Sequence, residues 1–147
     1  MNHHLVILKK PYLDLILSGE KTIESRLTKG KTAAFGRVQA GDKLFLKASG
    51  GPVSATATVA DVKYYPNLTR PQIVEIKQQY GPQIGGSDAV WETLMDRTCG
   101  FLVWLGDVRP IAPVRIDKKD WRAWVVLTKE KHFGLLAAES MGQDRHH

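Results

Sequence analysis

One stretch of the sequence, Gly19-Glu20-Lys21-Thr22-Ile23-Glu24-Ser25-Arg26, combines a lysine, a carboxylate and an arginine within six residues. Three charged groups this close together are costly to bury and are rarely needed for packing. Their most useful arrangement surrounds a polar ligand, because cations hold phosphate or carbonyl oxygens and a carboxylate accepts hydrogen bonds from ring amines. We therefore interpret the remainder of the chain as a scaffold that presents this charged stretch.

Length and composition predict one main domain, residues 1–128, followed by a weakly ordered tail, residues 129–147. The 147 residues are 43% hydrophobic and 24% charged, which is typical of a globular protein with its own core. No apolar run approaches the roughly 20 residues of a membrane span, and the N-terminus lacks the features of a signal peptide. Cys99 is the only cysteine, which excludes an internal disulfide and suits a reducing compartment. We expect a cytoplasmic protein that does not contact membranes.

The net charge of +6 is concentrated in one part of the chain. Residues 21–47 contain two anions, Glu24 and Asp42, and seven cations: Lys21, Arg26, Lys29, Lys31, Arg37, Lys43 and Lys47. This local excess of five positive charges indicates an anionic partner more strongly than a uniform excess would. The alternative interpretation is a solvated basic surface that keeps the protein in solution.

Hydrophobic patterns predict about six short strands and a few helices. The predicted strands are residues 5–8, 42–48, 53–65, 101–105, 108–116 and 123–127. Pro11 and Gly19 mark the two ends of the first helix, and the charged stretch follows it as an extended segment. Thr69 and Ser87 are the predicted N-caps of two further helices, the first of which we expect to end at Gly81-Pro82. Two prolines in the fifth strand indicate an edge position.

The order of these elements predicts an α+β fold whose sheet curls into a small barrel. The strands outnumber those that one flat, helix-covered sheet needs. Residues 28–40 form a loop that carries the cations Lys29, Lys31 and Arg37. We expect this loop to be mobile when the site is empty and to close over a ligand.

Three motifs resemble the ASCH domain family: Lys10-Pro11-Tyr12, Gly19-x-Lys21-x-x-Glu24-x-Arg26, and Gly41-Asp42 followed by Leu44-Phe45-Leu46-Lys47-Ala48-Ser49-Gly50. The resemblance covers roughly residues 5–127. It implies a PUA-like curled β-barrel of about six strands with flanking helices, a fold grouped with RNA-binding modules. It also implies a cleft between the barrel and the helices, with the charged stretch on its floor.

The resemblance further implies two kinds of enzymatic relative. One branch of the family hydrolyses the amide of acetylated cytidine with a lysine, a threonine three positions later and a distant glutamate. Lys21 matches the lysine, but Glu24 occupies the threonine position, so the hydroxyl nucleophile is missing. Another branch is ribonuclease-like, and its catalytic residues cannot be carried over to positions of this chain.

Lys21, Glu24 and Arg26 are the main candidate site residues. Lys21 is either a ligand-binding cation with a lowered pKa or a solvent-facing lysine before a strand. Glu24 and Arg26 have the same parity on a strand and can share one face, where they either bind a ligand or brace the barrel as a pair. Strict alternation places Lys21 on the opposite face, so a bend near Thr22 is needed to unite all three. If the protein is an enzyme, Lys21 and Glu24 are its acid–base pair.

Five further residues are candidate ligand contacts. Lys29 and Lys31 lie in the basic loop. Lys47 is a candidate phosphate contact and Ser49 completes an anion site at the following turn, unless both belong to an exposed hairpin end. Tyr12 either stacks on a base or packs in the core. We assign the tryptophans mainly to the core or its rim: Trp91, Trp104, Trp121 and Trp124.

No pattern in the sequence is typical of a metal site, a phosphate loop or a dinucleotide fold, and we expect no cofactor. We predict RNA or a nucleotide as the partner and leave the oligomeric state open. Three functional interpretations follow. The first is an RNA- or nucleotide-binding domain, the second a small hydrolase acting on RNA or a modified nucleoside, and the third a protein-interaction domain whose basic face meets an acidic partner.

Overall fold

A curled sheet of six strands forms the centre of the protein in a computed structural model, which describes residues 1–117, 122–128 and 131–135. The strands are β1 His3–Leu8, β2 Ile23–Thr28, β3 Lys43–Ala48, β4 Val53–Tyr65, β5 Cys99–Val114 and β6 Trp124–Val126. The helices in these ranges are α1 Lys10–Ser18, α2 Arg70–Ile84 and α3 Asp88–Thr93. The predicted α+β fold with a curled, barrel-like sheet and flanking helices is confirmed.

The strands lie in the order β2-β5-β4-β3-β1-β6. β1 and β3 pair in parallel, and every other neighbouring pair is antiparallel. Parallel neighbours need a long connection, and the chain between β1 and β3 supplies it with α1 and β2. β2, which carries the second half of the charged stretch, lies at one end of the order. One long side of β2 therefore faces no other strand among the described residues.

The helices α1 and α3 begin where the sequence predicts. Pro11 lies in the first turn of α1, where its missing N–H costs nothing. Gly19 ends α1 in the left-handed conformation, at φ 86°, and its N–H bonds to the carbonyl of Ile16. Ser87 caps α3 by accepting a hydrogen bond from the N–H of Val90. The helix ends that border the charged stretch therefore follow from local sequence.

The helix α2 extends past its predicted end at Gly81-Pro82 and reaches Ile84. Thr69 caps its start as predicted. Pro82 lacks an N–H and removes one helical hydrogen bond, but the N–H of Gly85 still bonds to the carbonyl of Gly81 at 2.8 Å. Ile84 is buried beneath the sheet, and this packing holds the last turn in place.

The fourth and fifth predicted strands, residues 101–105 and 108–116, are one continuous strand, β5. Asp107 has a positive φ of 46° at the expected break, and the register with β4 shifts nearby. Such bulges absorb an irregular residue without ending the pairing. β2 pairs only with residues 99–104 of β5, so the prolines lie where β5 has β4 alone as a strand neighbour among the described residues.

Apolar side chains pack on both faces of the sheet. Leu44 and Leu46 of β3 belong to the cluster inside the curl, as their alternation predicts. Phe45 points to the other face but is also buried, because it packs with Leu5 and Leu135. Most of the predicted tail, residues 129–147, lies outside the described residues, as does Trp121. Among the described residues, no helix is long and apolar enough to cross a membrane.

Alternation along β2 separates its apolar and charged side chains. Ile23 and Leu27 are buried in a cluster with residues of α2 and α3. Glu24 and Arg26 have the opposite parity and point to the other side of the strand. The strand thus anchors itself to the helices with one face and leaves its charged face toward the start of α1.

Candidate functional site

A bend before β2 brings Lys21 together with Glu24 and Arg26. β2 begins only after Thr22, so strict alternation does not apply to Lys21. The backbone N–H groups of Lys21 and Thr22 bond to carbonyl groups in α1 and α2 instead, at 3.0 and 2.9 Å. These long-range bonds turn the chain, and the three charged side chains meet as the ligand interpretation requires.

Lys21 is buried, with only 4% of its surface exposed, which excludes the solvent-facing alternative. Its Nζ donates to the carbonyl of Ile23 at 2.8 Å and to the carbonyl of Ile84. Oε1 of Glu24 lies 3.5 Å away, so three acceptors surround the three N–H bonds of the ammonium. Burial lowers the pKa of Lys21, the Glu24 carboxylate opposes this shift, and Arg26 adds to it.

Glu24 links the lysine to the arginine. Its Oε1 accepts from the backbone N–H of Ser25 at 2.9 Å, and its Oε2 accepts from Nη2 of Arg26 at 3.3 Å. The same Nη2 donates to the carbonyl of Ile7 at 3.0 Å. The guanidinium also lies over the ring of Trp124, 5.4 Å from its centroid. The bracing alternative therefore has a real basis, because Arg26 joins β2, β1 and β6.

Two adjoining cavities open beside this charged chain. The first measures about 160 Å³, and its lining includes Lys21, Ile84 at the end of α2 and the buried Trp91. The second measures about 360 Å³ and extends past Arg26 and the exposed Lys9. Four residues line both cavities: Tyr12, Glu24, Ser25 and Leu94. We call the two together the cleft.

The cleft offers chemistry for a polar, planar ligand. Arg26 is 19% exposed at its side chain, so part of the guanidinium remains accessible. Tyr12 is half-buried, and its ring lies 5.6 Å from Nζ of Lys21. Cations suit phosphate oxygens, the carboxylate suits ring amines and the tyrosine ring suits stacking. Within the described residues, no cluster of three His, Cys, Asp or Glu side chains is arranged to hold a metal ion.

Four predicted contacts lie outside the residues that line the cleft. Lys29 pairs with Asp96 at 3.1 Å on the surface, and Lys31 lies over the ring of Phe35. Lys47 donates to the carbonyl of Ala48 at 3.3 Å. Ser49 lies nearer to the cleft than the three lysines, because its N–H bonds to the carbonyl of Leu8, beside Lys9. Their roles as ligand contacts stay predictions.

The basic loop is attached to the barrel by its apolar residues. Ala34 and Val38 are buried in the cluster inside the curl. The hydroxyl of Tyr64 accepts from the N–H of Val38 at 2.8 Å and donates to its carbonyl at 2.7 Å. Burial raises the pKa of Tyr64. Closure of the loop over a ligand stays a prediction.

Sequence reasoning missed a buried polar chain behind the cleft. Trp124 Nε1 donates to Nδ1 of His4 at 3.1 Å, and Nε2 of His4 contacts Oδ2 of Asp42 at 2.8 Å. His4 is fully buried and Asp42 nearly so. The sequence carries no local signal for this chain, because its members are 38 and 120 positions apart. Sequence reasoning also missed Lys9 and Ser25, although Ser25 belongs to the charged stretch.

The fold of this protein is similar to that of solved ASCH structures. The crystal structure of ASCH from Zymomonas mobilis superposes with a TM-score of 0.68 at 16% identity, covering 92% of this chain and 94% of that chain. Two point mutants of the same protein superpose with TM-scores of 0.67 and 0.68, at 17% and 18% identity. They cover 93% and 92% of this chain and 98% and 95% of theirs. No curated protein matches this chain.

Comparison with known families gives a match over nearly the whole chain. Residues 6–133 match the ASCH domain, a span that includes the charged stretch, the cleft and all six strands but the first residues of β1. The match agrees with the solved structures in fold and with the three motifs in sequence. The chain belongs to the ASCH domain family.

Proposed function

We propose that this protein binds single-stranded RNA or a nucleotide in the cleft. The observation that carries the proposal is the chain of contacts Lys21–Glu24–Arg26, which lines the cleft and ends at the partly exposed guanidinium of Arg26. A pair that only braced the barrel would need neither the third charge nor the adjoining space. The resemblance to RNA-binding modules, noted from the motifs, agrees with this assignment.

The two cavities of the cleft suit different parts of a nucleotide. Arg26 and the exposed Lys9 suit phosphate oxygens at the wider, second cavity. Tyr12 and Glu24 line the narrower, first cavity, where a base finds a stacking surface and an acceptor for its ring amines. The surrounding excess of positive charge attracts an RNA strand over a longer range. The reducing cytoplasm, to which the single cysteine is suited, is the proposed compartment.

A second candidate function is hydrolysis of RNA or of a modified nucleoside. The observation that favours it is the separation of 3.5 Å between Nζ of Lys21 and Oε1 of Glu24, together with the lowered pKa of the lysine. Such a pair suits proton transfer. Acetylated cytidine should not be consumed, because Glu24 replaces the hydroxyl residue. Chromatography of RNA and acetylated cytidine incubated with concentrated protein tests this candidate, and the appearance of RNA fragments would support it.

A salt titration with labelled single-stranded RNA tests the binding proposal. Neutralised phosphates release counterions, so the logarithm of affinity should fall linearly with the logarithm of salt concentration, by about 0.7 per contacted phosphate. Lys9→Gln should weaken binding and make this slope shallower. Lys63→Gln is the matched control, because Lys63 is an exposed cation on β4 that does not line the cleft. Equal effects of the two variants, or affinity independent of salt, would contradict the proposal.

A further inference from the structure

A third cavity continues the cleft beyond Arg26. It measures about 180 Å³ and lies between β2 and the segment that leads into β6. Arg26 and Thr28 line both this cavity and the second one, so the two cavities adjoin along β2. Arg122, Ala123 and Trp124 form the far side of the cavity. Of the residues that line this cavity, only Arg26 belongs to one of the three motifs.

The third cavity combines cations, a hydroxyl and an aromatic floor. Arg26 and Arg122 contribute two guanidinium groups, and Thr28 contributes a hydroxyl. The floor is apolar, since Phe101 and Trp124 pack edge to face with ring centroids 5.3 Å apart. Guanidinium planes stack on nucleobases and also bind phosphate oxygens, so this lining matches one base with its adjoining phosphate.

A ligand that filled both the first and the third cavity would extend along β2 from Glu24 to Thr28. Glu24 borders the first and Thr28 the third, and they are four residues apart on one strand. A strand rises by about 3.3 Å per residue, so roughly 13 Å separates the two positions. Arg26 lies between these two residues and borders both the second and the third cavity, so its guanidinium is placed to hold a bridging phosphate.

We infer that the third cavity is a second nucleotide subsite, so that the protein takes an RNA strand of at least two nucleotides in preference to a mononucleotide. This inference rests on the proposed function, because it assigns the first nucleotide to the cleft. Arg26 then contacts the link between the two units, and Arg122 contacts the second. The ligand class is an oligoribonucleotide lying along the charged face of β2.

The test compares ligand lengths and blocks the third cavity alone. Isothermal titration is carried out with the nucleoside 5′-monophosphates and with the matching RNA homotrimers. The wild type should bind its preferred trimer about tenfold more tightly than the monophosphate, as expected for one more stacked base. Ala123→Trp fills the cavity from an exposed position and should abolish this advantage while the monophosphate still binds. Ala112→Trp, at an exposed position of β5, is the matched control.

Each outcome separates the subsite from the proposed function. Loss of the trimer advantage in Ala123→Trp but not in Ala112→Trp supports the subsite. Equal wild-type affinity for monophosphate and trimer overturns the subsite and leaves the proposed function standing. A trimer advantage that survives Ala123→Trp also overturns it, and so does one that survives Arg122→Gln. Absence of all nucleotide binding by the wild type overturns both.

Discussion

The indole N–H of Trp124 donates to Nδ1 of His4, and this contact defines the protonation state of the histidine. An indole nitrogen can only donate, so Nδ1 must carry its lone pair and Nε2 must carry the proton that faces Asp42. In a doubly protonated His4, the N–H at Nδ1 would point at the indole N–H of Trp124, and neither could accept a hydrogen bond. Trp124 also lies under the guanidinium of Arg26, so the buried chain supports the cleft from behind.

This arrangement predicts a specific loss of stability in mild acid. Burial lowers the pKa of His4 below its ordinary value of 6.5, although Asp42 opposes the shift. Near and below pH 6.5 the unfolded chain therefore binds a proton that the folded protein does not. The free energy of unfolding should be at its full value above pH 6.5 and should fall as the pH drops toward the lowered pKa.

Urea unfolding at about pH 7.5 and about pH 5.5 measures this loss, in the range where histidine titrates. His4→Gln should remove most of the fall, because the amide does not titrate. His3→Gln is the matched control at the neighbouring, partly exposed position and should retain it. The assignment to His4 is wrong if both variants keep the same pH dependence as the wild type.

A second, lower window belongs to Asp42. Burial alone would raise its pKa, but hydrogen bonds from His4 and from the backbone N–H groups of Asn2 and Gln39 outweigh burial, and the pKa lies below 3.8. The folded carboxylate thus releases its proton more readily than the unfolded one. Its contribution to the free energy of unfolding should be complete above pH 3.8 and should be lost as the pH falls through the lowered pKa. In Asp42→Asn, the melting temperature should therefore depend less on pH than in the wild type, and in that range only.

Lys21 should be needed for folding as well as for the site. Lys21→Met keeps the length of the side chain but leaves a buried carboxylate and two carbonyls without the ammonium. Removing one partner of a buried pair costs about 3–5 kcal/mol, and denaturant melts should show a loss of this size. Lys10→Met is the control, because the Lys10–Asp14 pair is exposed on α1. A loss no larger than that of the control would mean that Lys21 is not the anchor of this region.

Arg26 should matter more for affinity than for stability. In Arg26→Ala, Glu24 keeps Lys21 and the N–H of Ser25 as partners, so the carboxylate is not stranded. We expect a loss of about 1.5–3 kcal/mol, the usual cost of hydrogen bonds to a charged group, and a loss of RNA binding. Melts and binding assays on one sample separate the two effects. A larger loss with unchanged affinity in the folded fraction would establish Arg26 as a brace only.

Close contact between β2 and β5 makes Gly100 sensitive to substitution. A Cβ at Gly100 would lie 2.6 Å from the carbonyl oxygen of Arg26 and 2.7 Å from the side chain of Leu27. Gly100→Ala must push β2 outward and should cost about 1–3 kcal/mol. Gly106→Ala, also in β5, meets its nearest atom at an ordinary 3.5 Å and is the control. Equal melting temperatures for the two variants would show that β2 can move away from residue 100 without a loss of stability.

Sequence reasoning reached the features that depend on neighbouring residues. Pro11 and Gly19 bound α1, Thr69 caps α2, and alternation puts Glu24 and Arg26 on one face of β2. It failed where distant parts of the chain decide the outcome. Packing of the last turn carries α2 beyond Pro82, and register shifts keep β5 continuous. The bend that redirects Lys21 depends on carbonyls in two helices, which no local pattern reveals.

The most direct test of the cleft is nuclear magnetic resonance of the labelled protein during titration with a nucleoside monophosphate. Ser25, Gly85 and Trp91 line the first cavity, so the signals of the first two residues' backbone amides and of the Trp91 indole N–H should shift together and saturate at one dissociation constant. The amide of Ala112, on the exposed end of β5, should not move. Shifts confined to the basic loop around Lys29 and Lys31, or no saturable shift at these three groups, would contradict nucleotide binding in the cleft.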